Sequence, residues 1–178
     1  REYKNSEATN FTVGRLKHNI MANSDIGVMI MDKEIKDSPR FNRVVGTDAN
    51  FRLGQFTTFN AFLAKSSAPG VGSDNMEGRV AFGYQDRAWQ FKTAYSNIQS
   101  NFINEMGYVP RRGVQRYDAD FRRSFRPNNK WIRQMMPHTV IDYFADPHGH
   151  FDSKYIDYHF LVNFQNGGVF EVGKNPSV

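Results

Sequence analysis

The sequence contains no cysteine and no long apolar run, and each absence excludes whole classes of protein. Without cysteine there is no disulfide framework, no zinc finger built on thiolates and no Cys nucleophile. A membrane-spanning helix needs roughly 18 consecutive apolar residues, and no stretch of the chain approaches that length. Hydrophobic residues reach only 39%, below the roughly 45–50% of an average globular protein.

Aromatic residues, in contrast, are abundant, with 16 Phe, 8 Tyr and 2 Trp among 178 residues. The length corresponds to one domain, and the formal net charge is +5. A transmembrane β-barrel also has a polar-looking sequence, because only every second strand residue faces lipid. The composition therefore leaves two all-β classes open, one soluble and one that spans a membrane.

Apolar and polar residues alternate with a period of two in several parts of the chain. The alternation is clearest in residues 76–85, 89–96 and 155–165, and such alternation predicts half-buried strands. Further strands are predicted in the remaining apolar segments, which are residues 11–17, 25–31, 42–53, 56–65, 115–125, 131–144 and 169–173. The sequence thus predicts an all-β protein of about ten strands.

The connections between the predicted strands alternate between tight and long. The tight ones are residues 22–24, 54–55, 86–88, 127–129 and 166–167, and the long ones are residues 33–40, 66–75, 97–113 and 146–150. This alternation predicts an antiparallel up-and-down meander with all the tight turns at one end, as in outer-membrane barrels. Several strands are also longer than the five or six residues usual in soluble sheets. We therefore predict a transmembrane outer-membrane β-barrel.

The alternative is a soluble β-sandwich or β-barrel that binds carbohydrate or single-stranded nucleic acid. In that fold the apolar residues of 76–84 and 156–164 would face a shared, closed core. Basic residues interleaved with Tyr117, Phe121 and Phe125 resemble a single-strand binding groove. A five-stranded nucleic-acid barrel needs only about half of the predicted strands, so we predict no nucleic-acid partner.

One motif gives the chain a family resemblance, the run Gly107-Tyr108-Val109-Pro110-Arg111-Arg112-Gly113. Together with residues 41–50 and 126–131, it resembles the C-terminal region of a bacterial outer-membrane β-barrel family, a domain of unknown function. Members of that family typically carry an N-terminal carbohydrate-binding module of the family-nine type ahead of a large barrel. The resemblance extends over residues 11–173 and implies a bacterial outer-membrane location, contact with membrane lipid and lipopolysaccharide, and glycan handling.

This chain departs from that family in length and in its last residues. The family's proteins are several times longer, and here no binding module precedes the barrel region. The sequence starts at Arg1 without an initiator Met and ends without the aromatic-ended strand usual in outer-membrane barrels. We expect residues 1–178 to be a single barrel region, incomplete at both ends, that belongs to a larger barrel and contacts other envelope subunits.

Basic residues concentrate within one run, which is opposed only by Asp118 and Asp120. The run consists of Arg111, Arg112, Arg116, Arg122, Arg123, Arg126, Lys130 and Arg133. In a barrel, such residues attract anionic solutes to a constriction or hold lipopolysaccharide phosphate at the rim. A solvated loop whose arginines pair with lumen carboxylates is the alternative. From this run, Arg111, Arg112 and Arg116 are the predicted ligand-binding residues.

The polar series of the strands supplies further candidates. The charged pairs that we predict there are Glu77 with Arg79, Asp48 with Arg52, and Asp157 with His159, and Lys92 lies on the strand next to the first pair. The predicted lumen ligands are Asp48, Arg79, Lys92, Asp157 and His159. Two carboxylates at a suitable separation carry out glycoside hydrolysis, but no signal in the sequence joins any two. An envelope hydrolase that uses Asp48 or Glu77 is a third hypothesis.

No catalytic or cofactor motif occurs in the chain, and we predict no enzyme activity and no cofactor. The segment Asp146-Pro147-His148-Gly149-His150 has metal-ligand residue types, but its Pro and Gly are better explained by a turn, so no metal is predicted. The sequence therefore predicts a channel or a glycan-binding and uptake component of the bacterial outer membrane, with a basic lumen and loop.

Overall fold

Residues with alternating polarity form ten strands in a computed structural model that describes residues 7–176. The ends of the predicted barrel region, residues 1–6 and 177–178, lie outside the described residues. The strands are β1 Thr9–Met21, β2 Ser24–Ile35, β3 Phe41–Leu53, β4 Thr57–Ser67, β5 Met76–Gln85, β6 Trp89–Ile98, β7 Val114–Arg123, β8 Ile132–Ala145, β9 Phe151–Phe164 and β10 Val169–Lys174. The prediction of about ten strands is confirmed.

The strands form one antiparallel sheet in the order of the chain, from β1 to β10. This order confirms the predicted up-and-down meander. Only consecutive strands contact each other, and β1 and β10 do not pair, so the sheet of the described residues is open. Among residues 7–176 we find no helix long and apolar enough to cross a bilayer.

The connections lie at two ends of the sheet. The turn end contains residues 22–23, 54–56, 86–88, 124–131 and 165–168, and the loop end contains residues 36–40, 68–75, 99–113 and 146–150. One predicted tight turn is longer than expected, because β7 ends at Arg123 and Phe125 makes only an isolated bridge to Met135. At the turn between β9 and β10, Gly167 has φ 89°, a conformation that glycine adopts without strain.

The register gives the sheet two faces of different chemistry. We call the side that carries Arg15, Asp48, Arg79, Asp118 and His159 the polar face. We call the side that carries Val28, Val45, Phe82, Tyr117 and Phe160 the apolar face. A period of two places successive residues on opposite faces, so this division follows directly from the sequence alternation.

The apolar face is not covered by a second sheet within residues 7–176. Val80 on β5 is 46% exposed and Tyr158 on β9 is 47% exposed. A closed core shared by these two strands, as the soluble alternative requires, is not formed by the described residues. The sheet instead presents a continuous apolar surface on one side and a charged surface on the other.

Candidate functional site

The polar face carries ion pairs that reach across neighbouring strands. Arg79 on β5 donates to Asp118 on β7 with Nη1–Oδ1 and Nη2–Oδ2 distances of 2.9 and 3.3 Å. The guanidinium passes over Ser96 on β6, whose hydroxyl lies 2.8 Å from Nη1. Ser96 is directly opposite Arg79 in register, and its small side chain leaves room for the longer one. Two bonds between planar groups fix the guanidinium in one orientation.

Asp48 forms an ion pair with Arg15 of β1 and not with Arg52 as predicted. The intervening residue is Gly27 on β2, which lies opposite Asp48 in register. A Cβ atom at Gly27 would collide with the Asp48 carboxylate, so the glycine provides the space for this pair. Arg52 is four residues further along β3, about 14 Å away at about 3.4 Å per residue.

The predicted pair of Glu77 with Arg79 is also wrong. The Arg79 guanidinium is turned away from its own strand, toward Ser96 and Asp118. Side chains two residues apart on a strand are separated by about 7 Å, whereas partners on neighbouring strands are closer. Arg15 and Arg79 each pair with an aspartate two strands away, across a small residue on the strand between them.

Two histidines on the polar face bond carboxylates, and here a predicted pair is confirmed. His159 Nε2 lies 2.9 Å from Asp157 Oδ1, and its Nδ1 lies 2.8 Å from Glu171 Oε1 on β10. On the neighbouring strand, His138 Nε2 lies 2.9 Å from Asp120 Oδ1. Both ring nitrogens of His159 therefore have a carboxylate partner, which orients the ring.

Lys92, another predicted lumen residue, has no carboxylate partner among the residues that the structure describes. It lies opposite Asp120 in register, but that carboxylate is engaged by His138. Within residues 7–176, Arg52 and Arg122 likewise make no ion pair. All three cations lie toward the turn end of the polar face, which therefore has excess positive charge.

The three arginines predicted from the basic run do not converge on one site. Arg111 donates two bonds to Asp152 at 2.9 and 2.8 Å, and this bonding raises the pKa of the Arg111 guanidinium. The Nε of Arg116 lies 2.8 Å from Asp142 on the next strand. Arg112 is exposed and has no ion pair in the described part of the chain. Arg111 therefore connects the β6–β7 loop to β9, and Arg116 connects β7 to β8.

A segment of the long β6–β7 loop is fixed against the polar face, and no pattern in the sequence predicted this contact. Phe102 is fully buried. Asn42 on β3 donates to the Ile103 carbonyl at 3.0 Å, and its Oδ1 accepts from the Glu105 N–H at 2.9 Å. Ser66 on β4 accepts from the Ile103 N–H at 3.0 Å. We call residues 99–107 the docked loop.

Phe62 is a second feature that the sequence analysis missed. It is the aromatic residue opposite Asp48 and Arg79 in register, on the polar face. Beside it is a pocket of about 220 Å³, lined by Arg15, Asp48, Asn50, Asn60, Ala61, Phe62, Arg79 and Ala81. Phe62 breaks the alternation of β4, and an apolar residue in a polar series was the available signal.

The short β8–β9 loop is a turn held by one carboxylate. Asp146 accepts from the backbone N–H groups of His148 and His150 at 2.8 and 2.9 Å, and its second oxygen lies 2.9 Å from His150 Nδ1. The bond from the His150 ring and these two N–H bonds lower the pKa of Asp146 to about 2. No three His, Asp or Glu residues of the described chain form a group suited to a metal ion.

Comparison with protein-family models, curated proteins and solved structures gives no match. The function must therefore be argued from the two faces of the sheet. The resemblance to the outer-membrane family stays a prediction.

Proposed function

We propose that this chain is part of a bacterial outer-membrane β-barrel whose apolar face contacts lipid and whose polar face lines a water-filled lumen. The observation that carries the proposal is the division of one sheet into an exposed apolar face and an ion-paired polar face. In a soluble sheet an apolar face needs a partner layer, whereas lipid is that partner in a barrel.

The dimensions and borders of the apolar face support this proposal. On β3 it extends from Val45 to Leu53, which is about 27 Å along the strand at about 3.4 Å per residue. Outer-membrane barrels have an apolar band about 25 Å tall. At the loop end, Arg43 borders the face and bonds Asp32 and Glu34 at 2.8 and 3.2 Å.

Aromatic rings lie toward both borders, as in the girdles of membrane barrels. Toward the loop end, Tyr117 contacts Tyr95 and Tyr143 with ring centroids 4.8 and 6.0 Å apart. At the turn end, Trp89 packs on Phe121 at 5.4 Å. Such rings are suited to the membrane–water interface because they have an apolar body and, in Tyr and Trp, a polar atom.

The role within the membrane is passage or binding of a polar solute, with glycans as the favoured class. The docked loop narrows the polar face near the loop end. The pocket beside Phe62 combines one aromatic ring with amide, carboxylate and guanidinium groups. Sugars present both an apolar ring face and many hydroxyl groups, and such a mixed surface is suited to both.

Single-cysteine labelling tests the membrane assignment without background, because the chain has no cysteine. Val80→Cys places a thiol on the apolar face, and Ala81→Cys places one on the polar face of the same strand. In isolated outer membranes, a water-soluble maleimide should label Ala81→Cys and leave Val80→Cys unmodified until detergent is added. Equal labelling of both variants in membranes, or extraction of the protein into buffer without detergent, would contradict the proposal.

A further inference from the structure

The turn end of the polar face contains a pocket whose cations lack carboxylate partners in the described part of the chain. Its volume is about 530 Å³, and Arg52, Arg87 and Lys92 are among the residues that line it. None of the three forms an ion pair within residues 7–176. Elsewhere on this face, the arginines Arg15 and Arg79 are neutralised by aspartates. The pocket therefore has a local excess of positive charge.

The floor of the pocket is open because two small residues separate the cations. Arg52 lies opposite Thr58, Thr58 opposite Gly83, and Gly83 opposite Lys92. Three strand spacings separate the two cations by about 14 Å at the backbone. Gly83 does not have a positive φ, so the backbone does not require glycine there. A Cβ atom at this position would lie 2.7 Å from the Thr58 hydroxyl, and its absence keeps the floor clear.

One carboxylate, Asp86, also lines the pocket, but its oxygens are already bonded. They accept from the N–H groups of Trp89 and Ala88 at 2.6 and 2.7 Å and from the Tyr84 hydroxyl at 2.8 Å. These bonds, first that from the Trp89 N–H, lower the pKa of Asp86. The carboxylate holds the β5–β6 turn and, among the described residues, forms no ion pair with Arg52 or Lys92. Its single negative charge is outweighed by the three cations that line the pocket.

We propose that this pocket is an oxyanion site that binds the carboxylate or phosphate group of a solute between Arg52 and Lys92. A guanidinium binds such groups through two parallel N–H bonds, and an ammonium adds a compact charge. Arg87 lies at the edge of the pocket and contributes to the positive potential. The site deepens the proposed function by specifying an acidic solute. It depends on that function only because the polar face must be accessible to water.

The test uses the purified full chain at fixed ionic strength, titrated separately with inorganic phosphate, glucuronate and glucose. We expect at least one of the two oxyanions to bind and glucose to bind more weakly. The double variant Arg52→Gln/Lys92→Gln removes both cations, and binding should weaken by about tenfold or more, since each charge-assisted bond contributes more than a neutral one. Binding of neither oxyanion by the parent protein would overturn the proposal.

Two further variants separate a pocket from a general effect of charge. The double variant Arg133→Gln/Lys36→Gln also removes one Arg and one Lys, from positions that do not line the pocket, and binding should stay within about twofold. Gly83→Val keeps both cations but fills the floor, and binding should be lost. Equal weakening in the two double variants, or parental binding by Gly83→Val, would refute the site.

The result is independent of the membrane assignment. If the protein is extracted without detergent but binds phosphate, the oxyanion site is supported and the membrane-barrel proposal is refuted. If the protein requires detergent for extraction but binds neither oxyanion, the membrane-barrel proposal is supported and the oxyanion site is refuted.

Discussion

Arg79 and Asp118 lie on strands that do not touch, yet their side chains form two hydrogen bonds over the strand between them. Asp118 also lies 3.9 Å from Arg116 on its own strand, so one carboxylate connects two guanidinium groups. These side-chain bonds join strands that are two apart, whereas the backbone hydrogen bonds join only adjacent strands. The charged groups of the polar face are therefore held in fixed positions.

The link between Arg79 and Asp118 can be measured with a double-mutant cycle. We expect Arg79→Gln and Asp118→Asn each to reduce the free energy of unfolding, with a coupling energy of about 1 kcal/mol because the pair is partly exposed. Urea unfolding of the parent, both single variants and the double variant gives this energy. As a control, Asp74→Asn removes an exposed carboxylate that lies in a loop. A coupling energy of zero would show that the two bonds do not contribute to stability.

Truncation of Phe102 should release the docked loop. Removal of a fully buried ring typically costs about 3–5 kcal/mol, and Phe102→Ala should therefore raise amide exchange across residues 99–107. Tyr108→Ala is the matched control, because Tyr108 is 90% exposed and an exposed site typically changes stability by less than about 0.5 kcal/mol. Unchanged exchange in Phe102→Ala would mean that the hydrogen bonds of Asn42 and Ser66 hold the loop without the ring.

The β8–β9 turn should loosen in acid. Because the pKa of Asp146 is lowered from 3.8 to about 2 in the folded chain, the ionised carboxylate stabilises the turn fully above about pH 4. This stabilisation is lost as the pH falls through about 2. NMR shifts of the His148 and His150 amides should follow that midpoint, and Asp146→Asn should abolish the transition. A midpoint near 3.8 would contradict the hydrogen bonding described above.

Arg123 is stacked between two aromatic rings, with its guanidinium carbon 4.2 Å from the Trp89 ring centroid and 4.4 Å from that of Phe125. In a Trp131→Phe background, Trp89 is the remaining tryptophan and can be excited selectively over the tyrosines. Arg123→Ala should shift its emission to longer wavelength, because water replaces the guanidinium, and should cost about 0.5–1 kcal/mol. Arg133→Ala removes the same charge without this stack and should leave the emission unchanged.

Phe62 should contribute to glycan binding. Phe62→Ala removes the aromatic ring that lines the pocket of about 220 Å³ and should weaken binding of a neutral oligosaccharide by about tenfold, equivalent to about 1.4 kcal/mol. The control is Phe59→Ala, which removes a ring from the opposite face of the same strand. Equal binding by both variants would remove Phe62 from the proposed solute path, and tryptophan fluorescence or calorimetry supplies the measurement.

The sequence was sufficient to predict the strands and their order, because both follow from local patterns. Alternation identified the clearest hairpin, from Met76 to Ser96, whose second strand extends to Ile98 in the structure, and connection length identified the meander. The end of β7 was predicted two residues too late, because Phe125 continues the apolar alternation but makes only an isolated bridge with Met135. The period-two alternation of strands and the residue types of turns both depend on a few consecutive residues, so a single sequence is enough to detect them.

The ion pairs were largely beyond prediction from sequence, because register and side-chain direction determine them. Asp48 was assigned to Arg52 on its own strand, but its partner is Arg15 across Gly27. His159 was correctly paired with Asp157, yet its bond to Glu171 required the neighbouring strand. Partners on adjacent strands are close in space and distant in sequence.

The docked loop also has a consequence for the order of folding. Each strand pairs with its neighbour in the chain, so the sheet forms from contacts that are local and close quickly. The bonds from Asn42 to Ile103 and from Lys33 to Glu105 instead join residues 61 and 72 positions apart. These bonds require the strands between them to be in place, because closing so long a loop costs conformational entropy. We therefore expect the loop to dock late, after the hairpins have formed. Because it bonds Lys33 on β2, Asn42 on β3 and Ser66 on β4, the docked loop should then resist sliding of these strands past one another.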